Sequence, residues 1–250
     1  FIASTFLRGV NFVLVPTTLL SQVDASIGGK TGVNHKGFKN MIGTFNQPVQ
    51  VIIDTKFLKS LSKLEIQCGL MEVIKHGLIS DKSFFVWLEK NLKQILSLKP
   101  QFIERAIKRS IEIKADVVSK DEKENGLRAI LNFGHTFGHA LETMGNNKLY
   151  THGEAVALGM LAATKLSERI SDLDPKVFDR VHSTIKNTGI KVKLKKKIFP
   201  KKLIKLMQSD KKKNNSQLKF ILLEKIGKAK IKSVSNEVTI ENAIKNSLFY

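Results

Sequence analysis

Two histidines four residues apart, His135 and His139, are the side chains in this sequence whose spacing most clearly indicates chemistry. They lie in a segment of helical periodicity, so both imidazoles are expected on one face of a helix, about one turn apart. A third histidine, His152, follows in the motif His-Gly-Glu. Imidazoles grouped in this way suit a divalent metal such as zinc, or a proton-transfer site. The competing interpretation is a pair of core histidines that bond to backbone carbonyls.

The elements expected to carry these residues change character near Asp54. Before it, two short apolar strands are predicted at residues 12–15 and 50–53, after the end of a helix at residues 1–8. After it the sequence is nearly all helical, so we predict an α/β part over residues 1–54 and a mainly helical part over residues 55–250. Helices are predicted over residues 63–79, 81–96, 100–120, 128–140, 154–170, 175–186 and 238–248, with a β-hairpin across Ile226-Gly227.

A glycine-rich stretch, Asp24–Asn34, lies between the two predicted strands. Its glycines would let the backbone approach a ligand closely, and Lys30 adds positive charge. The run Gly-Gly-Lys-Thr is similar to the end of a P-loop, but Asp24 stands where that motif needs its first glycine, so a Walker motif is excluded. A flexible basic surface loop is the alternative. Thr17 and Thr18 lie at a strand-to-helix turn, where they would hold phosphate or ribose oxygens, or form an ordinary N-cap.

Lysine supplies most of the formal net charge of +20, which raises nucleic acid as a ligand. The lysines concentrate between Lys186 and Lys232, where the only aromatic residues are Phe199 and Phe220. Lysine without stacking aromatics or arginine is weak evidence for base recognition. We therefore predict a solvated face and no nucleic-acid partner, and the excess charge would also suit an anionic, phosphorylated substrate.

Length and composition restrict the class of protein further. The 250 residues and 42% hydrophobic content suit one large or two modest globular domains. No apolar run approaches the roughly 18 residues of a membrane span, and no signal-peptide layout is present, so no membrane partner is expected. The single cysteine, Cys68, excludes an intramolecular disulfide and fits a reducing cytoplasm. We expect it to be a small buried thiol.

The motifs of this chain resemble those of the 3-dehydroquinate synthases, which are sugar-phosphate cyclases. Four motifs appear in the family's order and spacing: Asp24–Asn34, Gly69–Gly77, Arg128–Ala140 and His152–Ala157. Family members also carry a glycine-rich turn in an N-terminal nucleotide-binding half, and this sequence begins just after that turn. The resemblance therefore implies that residues 1–54 are the remnant of a Rossmann-like NAD-binding domain in an N-terminally truncated chain. We expect such a chain to bind NAD poorly and to be inactive by itself.

The resemblance also implies an activity. The family uses NAD and a divalent metal, zinc or cobalt, to convert 3-deoxy-D-arabino-heptulosonate 7-phosphate into 3-dehydroquinate and phosphate, the second step of the shikimate pathway. The reaction combines transient oxidation, phosphate elimination, re-reduction and aldol cyclisation. A cytoplasmic homodimer is the family expectation. Spacing alone would make His139 a metal ligand, whereas the resemblance gives that place to Glu72, on a distant predicted helix.

Site residues carry over from the family by motif. The implied metal ligands are Glu72, His135 and His152, and the implied proton-transfer groups are Glu124 and His139. The implied NAD contacts are Thr17, Thr18, Lys30, Lys39, Phe57, Leu58, Lys59 and Ser60. The implied substrate contacts are Arg8, Asp24, Lys30, Asn40, Lys75, Lys114, Arg128, Asn132, His139, Lys211 and Lys212. One of Lys211 and Lys212 is expected to suffice. Arg8 would reach the phosphate, in a partner subunit if the protein is a dimer.

Three alternatives stay open from the sequence. Other sugar-phosphate cyclases and metal-dependent alcohol or glycerol dehydrogenases are expected to share the fold, although the dehydrogenases need no cluster of phosphate-binding lysines such as Lys75 and Lys114. A lysine-rich anion- or nucleic-acid-binding module would leave Glu72, His135 and His152 as unrelated core or surface residues. Locally, Glu72 and Lys75 are three residues apart on a predicted helix, and a surface ion pair is the commonest fate of such a couple.

Overall fold

The computed structural model describes residues 1–35, 38–146, 148–196, 198–210 and 217–248, without the side chains of residues 38, 39, 209 and 210. The described part of the chain is mostly helical. Its strands form three two-stranded sheets.

The N-terminal part contains the short elements. Helix α1 (Ile2–Thr5) and the turn Phe6–Arg8 precede strand β1 (Val13–Leu14), which pairs in parallel with β4 (Gln50–Val51). Between them lie a π-helical turn (Ser21–Ala25) and an antiparallel hairpin of β2 (Lys30–His35) and β3 (Phe38–Phe45). The two predicted strands are confirmed. The flexible basic loop considered for the glycine-rich stretch is wrong, because Lys30 begins a paired strand.

Helices make up most of the remaining chain, and most of them begin and end close to the predicted boundaries. They are α2 (Lys63–Ser80), α3 (Lys82–Leu96), α4 (Pro100–Lys120), α5 (His135–Met144), α6 (His152–Ile170), α7 (Lys176–Asn187), α8 (Pro200–Asp210) and α9 (Glu237–Leu248). Strands β5 (Leu218–Lys225) and β6 (Lys228–Val234) form the predicted antiparallel hairpin.

The helix predicted over residues 128–140 is wrong at its start. Residues Leu127–Asn132 form a separate 3-10 turn, and α5 begins only at His135. The break lies at Gly134, whose φ of 81° is a left-handed conformation that favours glycine. A Cβ at this position would also lie 2.7 Å from the backbone nitrogen of Met160 on α6. Close packing against α6 therefore sets the start of α5 and makes His135 its first residue.

Helix α6 is the centre of the helical part. Residues 153–164 are all buried, and α6 packs against α2, α5, α7, α9 and β5. The contact with α5 is backbone against backbone, since a Cβ at Gly159 would lie 2.0 Å from the carbonyl oxygen of Gly134. This close crossing holds the first turns of α5 in one position relative to α6.

Helix α8 was not predicted, because it lies in the lysine-rich region. Its lysines are exposed, as a solvated face requires, whereas Leu203, Ile204 and Met207 are buried on the opposite side. The helix is therefore amphipathic, and it packs on α5 and α9. Among the described helices, none has the length and apolar character needed to cross a membrane.

Candidate active site

Three helices bring together Glu72, His135 and His152. Glu72 lies in the middle of α2, while the two histidines are the first residues of α5 and α6. One ligand atom from each lies within 4.8 Å of the others. Oε1 of Glu72 is 3.6 Å from Nε2 of His135 and 3.4 Å from Nε2 of His152. A carboxylate and two imidazoles that converge in this way could hold a divalent metal with coordination positions left open.

The state of the Glu72 carboxylate tests whether these residues fit a metal. The side chain is completely buried, and its Oε1 accepts no hydrogen bond from the described residues. A buried carboxylate oxygen without a donor is costly unless a cation lies beside it. The ammonium of Lys75 contacts Oε2, which leaves Oε1 facing the two imidazoles. The oxygen and nitrogen donors therefore fit a zinc or cobalt ion.

The two histidines differ in how their rings are held. Nδ1 of His135 lies 3.2 Å from the carbonyl oxygen of Phe133, which fixes the ring with Nε2 toward Glu72. The alternative interpretation, core histidines that bond to backbone carbonyls, thus explains Nδ1 of His135 but not its Nε2. Nδ1 of His152 instead lies 3.4 Å from Oε1 of Glu142, a residue of α5.

Electrostatics around the group favour a cation. Burial lowers the pKa of His135 to about 3, assisted by Lys75, so its imidazole is neutral and able to act as a ligand. Burial would lower the pKa of His152 as well, but Glu142 and Glu72 outweigh it and raise that pKa to about 9. Burial would raise the pKa of Glu72, yet Lys75 and the histidines keep it well below its usual value. The Glu72 carboxylate is therefore ionised, and its negative charge stabilises cationic groups beside it.

Local sequence explains how the helix starts are fixed. Thr151 and Glu154 form a capping box at the start of α6, in which each side chain accepts the other residue's backbone N–H. Lys195 donates to Oε2 of Glu154 at 2.7 Å and to the carbonyl oxygen of Leu149 at 2.9 Å. These contacts fix the backbone of His152. They also give one lysine of the lysine-rich region a structural role.

Next to Glu72 lies a layer of paired charges. Lys75 is buried to 1% exposure, so the surface ion pair considered from the sequence is wrong. Lys114 donates to Oδ1 of Asp24 at 2.5 Å and to its carbonyl oxygen at 2.6 Å. Burial would raise the pKa of Asp24, but the Lys114 ammonium dominates and holds it below the ordinary value. Two ammonium groups therefore lie beside the candidate metal ligands.

A second group of potential ligands, Asp24, Glu72 and His76, also lies within 4.8 Å. Both ring nitrogens of His76 are buried without a hydrogen-bond partner among the described residues. Burial lowers the pKa of His76 to about 3, and Lys75 acts in the same direction. In this group the Asp24 carboxylate is paired with Lys114, and His76 lies close to the ammonium groups of both Lys75 and Lys114, so the group suits a cation less well than the group with two histidines.

A cavity of about 180 Å³ opens beside the metal group. It is lined by Asn132, His135, Thr136, His139, Ala140, Thr143, Leu206 and Met207. The rings of His135 and His139 are 5.4 Å apart, edge to face. His139 thus lies in the cavity wall, outside the group of three. Leu206 and Met207 belong to α8 and could not be assigned from the sequence.

The other predicted proton-transfer residue, Glu124, belongs to a network at the edge of this cavity. Asn132 donates from Nδ2 to Oε1 of Glu124 at 2.7 Å, and the ammonium of Lys30 pairs with Oε2. Arg128 is buried and donates from Nη2 to the carbonyl oxygen of Gly28 at 2.8 Å. The network joins the β2–β3 hairpin to the turn before α5.

Asp121 organises the loop that carries Glu124, and sequence reasoning missed it. Its carboxylate accepts backbone N–H groups of Asn125 at 2.8 Å, Gly126 at 2.8 Å and Arg128 at 2.9 Å. Glu124 has a φ of 58°, a left-handed conformation that a residue other than glycine rarely adopts without such support. A lone aspartate after a helix carries no sequence signal for three simultaneous hydrogen bonds.

Replacing Asp121 by alanine should loosen this loop. We expect faster hydrogen exchange at the amides of Asn125, Gly126 and Arg128, because the oxygens that accept their hydrogen bonds are lost. The N–H groups of Arg128 and Asn125 hold the pKa of Asp121 below its usual value, so its stabilisation is present at neutral pH and lost as the pH falls through that lowered pKa. Asp116→Ala, an exposed change on α4, is the control, and equal exchange in both variants would contradict the assignment.

The predicted nucleotide contacts lie at another edge. Because β1 and β4 are parallel, the residues after each strand meet at one end of the sheet. Nε2 of Gln22 bridges these segments, donating to the carbonyl oxygens of Pro16 at 3.3 Å and Asp54 at 3.0 Å. Thr17 is exposed there, whereas Thr18 exchanges hydrogen bonds with Ser21, which is the N-cap alternative. The convergence fits a nucleotide that spans both segments.

The remaining predicted residues are placed as follows. Of the segment Phe57–Ser60, Leu58 is fully buried in the core, so only its backbone could reach a nucleotide, whereas Phe57, Lys59 and Ser60 are exposed. Asn40 is exposed and lines a surface cavity with Lys30. Arg8 is exposed in its turn. The side chain of Lys39, together with Lys211 and Lys212, lies outside the described residues.

Comparison with known proteins assigns the family. The family model described as 3-dehydroquinate synthase C-terminal matches residues 69–213, and the one described as 3-dehydroquinate synthase N-terminal matches residues 1–68. The chain belongs to the 3-dehydroquinate synthase family. This confirms the resemblance inferred from the four motifs.

Individual members of the 3-dehydroquinate synthase family are close in sequence. The synthase of Nitrosomonas europaea is 49% identical over 92% of this chain and 62% of its own length. That of Thermoanaerobacter pseudethanolicus is 46% identical over 95% of this chain and 66% of its own. The chain therefore spans a little under two thirds of the length of these curated relatives.

Solved structures of related cyclases have the same fold. ValA, a 2-epi-5-epi-valiolone synthase from Streptomyces hygroscopicus subsp. jinggangensis with NAD+ and Zn2+ bound, has a TM-score of 0.89 at 27% identity, over 98% of this chain and 68% of its own. A 2-deoxy-scyllo-inosose synthase with carbaglucose-6-phosphate, NAD+ and Co2+ has a TM-score of 0.87 at 27% identity. The match covers 98% of this chain and 70% of the synthase. Glycerol dehydrogenase from Schizosaccharomyces pombe, at 14% identity and a TM-score of 0.62 over 95% and 63%, is similar in fold alone.

Proposed function

We propose that this chain forms the metal- and substrate-binding part of a 3-dehydroquinate synthase, an NAD- and metal-dependent lyase. Its substrate would be 3-deoxy-D-arabino-heptulosonate 7-phosphate, and its products 3-dehydroquinate and phosphate. The observation that carries the proposal is the convergence of Glu72, His135 and His152 beside the buried ammonium groups of Lys75 and Lys114. A metal ion held there would bind substrate hydroxyls, and the two lysines would bind phosphate and carboxylate, so together they suit a polyhydroxylated substrate that bears both anionic groups.

The cofactors of this proposal are NAD and a zinc or cobalt ion, as bound in the two related cyclases. Glu72, His135 and His152 would hold the metal. The segments after β1 and β4, with Thr17, Thr18 and residues 57–60, would contact NAD, together with Lys30 and Lys39. When bound, NAD would accept and return a hydride, and the metal would polarise the substrate hydroxyl being oxidised.

Residues of the chain itself would bind and orient the substrate. Lys75 and Lys114 carry positive charge beside Glu72, and Arg128 belongs to the neighbouring network, so these three side chains would hold phosphate and carboxylate oxygens. Asn132 would bind a hydroxyl, and Asp24 would keep Lys114 charged and in place. Further contacts are proposed for Lys30, Asn40, His139, one of Lys211 and Lys212, and Arg8, the last in a partner subunit of a homodimer.

Proton transfer would fall to Glu124 and His139. His139 faces the cavity next to the metal group, and Glu124 borders that cavity through its hydrogen bond to Asn132. A substrate bound to the metal would then present its hydroxyl and C–H protons to these two side chains. Their main task would be to place those protons, since orientation and charge stabilisation supply most of the acceleration in such a site.

The domain division that follows from this proposal lies near Asp54. Residues 1–54 would be the C-terminal part of a Rossmann-like NAD-binding domain, which the parallel pairing of β1 and β4 supports. Residues 55–250 would be the helical domain that binds metal and substrate. The β1–β4 sheet has only two strands among the described residues and offers NAD few contacts, so NAD binding by these 250 residues alone is expected to be weak.

Among the alternatives, another sugar-phosphate cyclase activity is the nearest. The solved cyclases share 27% identity with the chain, whereas the dehydroquinate synthases share 46–49%. The higher identity favours the dehydroquinate reaction. A glycerol or alcohol dehydrogenase would have no use for the buried lysine pair next to the metal ligands.

The activity is tested by phosphate release. The longest native form of the protein is supplied with NAD, zinc or cobalt, and the heptulosonate phosphate, and we expect metal-dependent release of one phosphate for each dehydroquinate formed. Metal-dependent reduction of NAD by glycerol, without phosphate release from the sugar acid, would replace the proposal with a dehydrogenase.

Replacing His135 by alanine tests the ligand set independently of turnover. Because loss of even an outer-shell partner costs about 10–100-fold in metal affinity, loss of a direct ligand should cost more than about 100-fold. The measurement is a cobalt or zinc titration of the purified chain. His182→Ala on α7 is the matched histidine control. Unchanged affinity in the His135 variant would mean that the ligands are assigned wrongly.

A further inference from the structure

We propose that Glu142 is a positioning residue that orients His152 for metal binding. Glu142 lies on α5, is 4% exposed, and places Oε1 3.4 Å from Nδ1 of His152. It is neither a member of the metal group nor one of the residues that the family motifs assigned. The inference rests on the proposed metal site.

The imidazole of His152 lies between two carboxylates. Its Nδ1 faces Glu142, and its Nε2 faces Oε1 of Glu72 at 3.4 Å. Without a metal, the raised pKa keeps both nitrogens of His152 protonated, so an ion that binds must displace one proton. The neutral imidazole that results has one N–H and one lone pair. If Nδ1–H is donated to Glu142, the lone pair is on Nε2, which is the nitrogen that points at the candidate metal position. Glu142 therefore selects the tautomer that can act as a ligand.

His152 needs this restraint more than His135 does. Nδ1 of His135 is held by the carbonyl oxygen of Phe133, and its side chain is 11% exposed. His152 is the first residue of α6, its side chain is 31% exposed, and no backbone group of the described residues is bonded to its ring. The Glu142 carboxylate supplies the anchor that a backbone carbonyl supplies to the other histidine.

Helix packing fixes the position of Glu142, and its carboxylate places negative charge near the candidate metal site. It is seven residues after His135 and three after His139, so the three side chains share one face of the helix. The crossing of α5 and α6 is fixed by close backbone contact at Gly138 and Ala155. A carboxylate that bonds to a ligating imidazole makes it a stronger electron donor, and its negative charge favours a dication at the site.

Cobalt titration tests the inference without NAD or substrate. Glu142→Met removes both the acceptor and the charge, and we expect a loss of about 10–100-fold in cobalt affinity with an altered visible absorption of the bound ion. Glu142→Gln keeps an acceptor oxygen and should recover part of the affinity. Glu104→Gln, an exposed change on α4, is the control and should bind like the parent.

Folding is checked in the same samples by urea unfolding without metal. If Glu142→Met does not fold, Glu142→Gln carries the test through its affinity and absorption spectrum. Both variants binding cobalt with the parent's affinity and spectrum would overturn the inference, even in a protein that releases phosphate. If the longest native form of the protein binds cobalt but releases no phosphate when NAD and substrate are supplied, the proposed function is wrong, while weakened cobalt binding by the Glu142 variants would still support the positioning role.

Discussion

Replacing Glu72 by glutamine is expected to abolish tight metal binding and to lower the free energy of unfolding of the metal-free chain by about 3–5 kcal/mol. The side chains of Glu72 and Lys75 are 0% and 2% exposed, and they form an ion pair three residues apart on α2. Removing the carboxylate leaves the ammonium buried without its counter-charge, and this destabilises the protein more than removing both charges would. Urea unfolding and cobalt titration measure the two effects separately.

A double variant distinguishes the two roles of Glu72. Combining Glu72→Gln with Lys75→Met removes both charges, so most of the lost stability should return, while metal binding should stay absent. Lys75→Met alone leaves the carboxylate without its ammonium, and added zinc should then stabilise the chain more than it stabilises the parent. If Glu72→Gln unfolds at the same urea concentration as the parent, the pair contributes nothing to stability.

Replacing Gly159 by alanine should destabilise the protein and also weaken metal binding. Alanine in a helix interior normally stabilises by about 1 kcal/mol relative to glycine. Here the new Cβ would lie 2.0 Å from the carbonyl oxygen of Gly134 and 2.9 Å from the nitrogen of Gly138, and backbone atoms cannot rotate away. We expect a loss of about 3 kcal/mol, at the upper end of overpacking costs, because α5 and α6 must separate.

Metal affinity should fall in the same variant, since Gly134 directly precedes His135. The control is Gly126→Ala, because a Cβ at Gly126 meets nothing within 4 Å, and its stability should change by less than about 0.5 kcal/mol. Urea unfolding and cobalt titration again provide the measurements. A Gly159 variant as stable as the parent would show that the helices can separate without cost.

Periodicity predicted the long helices because their buried faces repeat over many turns. It failed at α5, since the apolar pattern continues through Leu131 and Phe133 into the helix while the backbone breaks at Gly134. The left-handed conformation there depends on the distance to α6, which local sequence does not encode. The capping box Thr151–Glu154, by contrast, is a local signal and lies where the sequence predicts a helix to begin.

In the candidate site, too, residue spacing predicted only the residues that are close in sequence, and helix packing determines the others. The spacing of His135, His139 and His152 indicated a metal or proton site, but spacing could not bring Glu72 to it, since α2 is distant in sequence. Only the family resemblance assigned that residue. Glu142 did carry a local signal, because its distance from His135 places it on the same helical face. Its significance depends on the ring of His152, and therefore on how α5 and α6 pack.

The origin of the three ligands on three separate helices links occupancy of the site to the lifetime of the fold. An unfolded chain cannot hold Glu72, His135 and His152 together, so an ion would bind the folded state almost exclusively. Ion at a hundred times its dissociation constant would add about 2.7 kcal/mol to the free energy of unfolding. Metal starvation in a cell would then reduce the amount of intact protein through proteolysis, in addition to emptying the site.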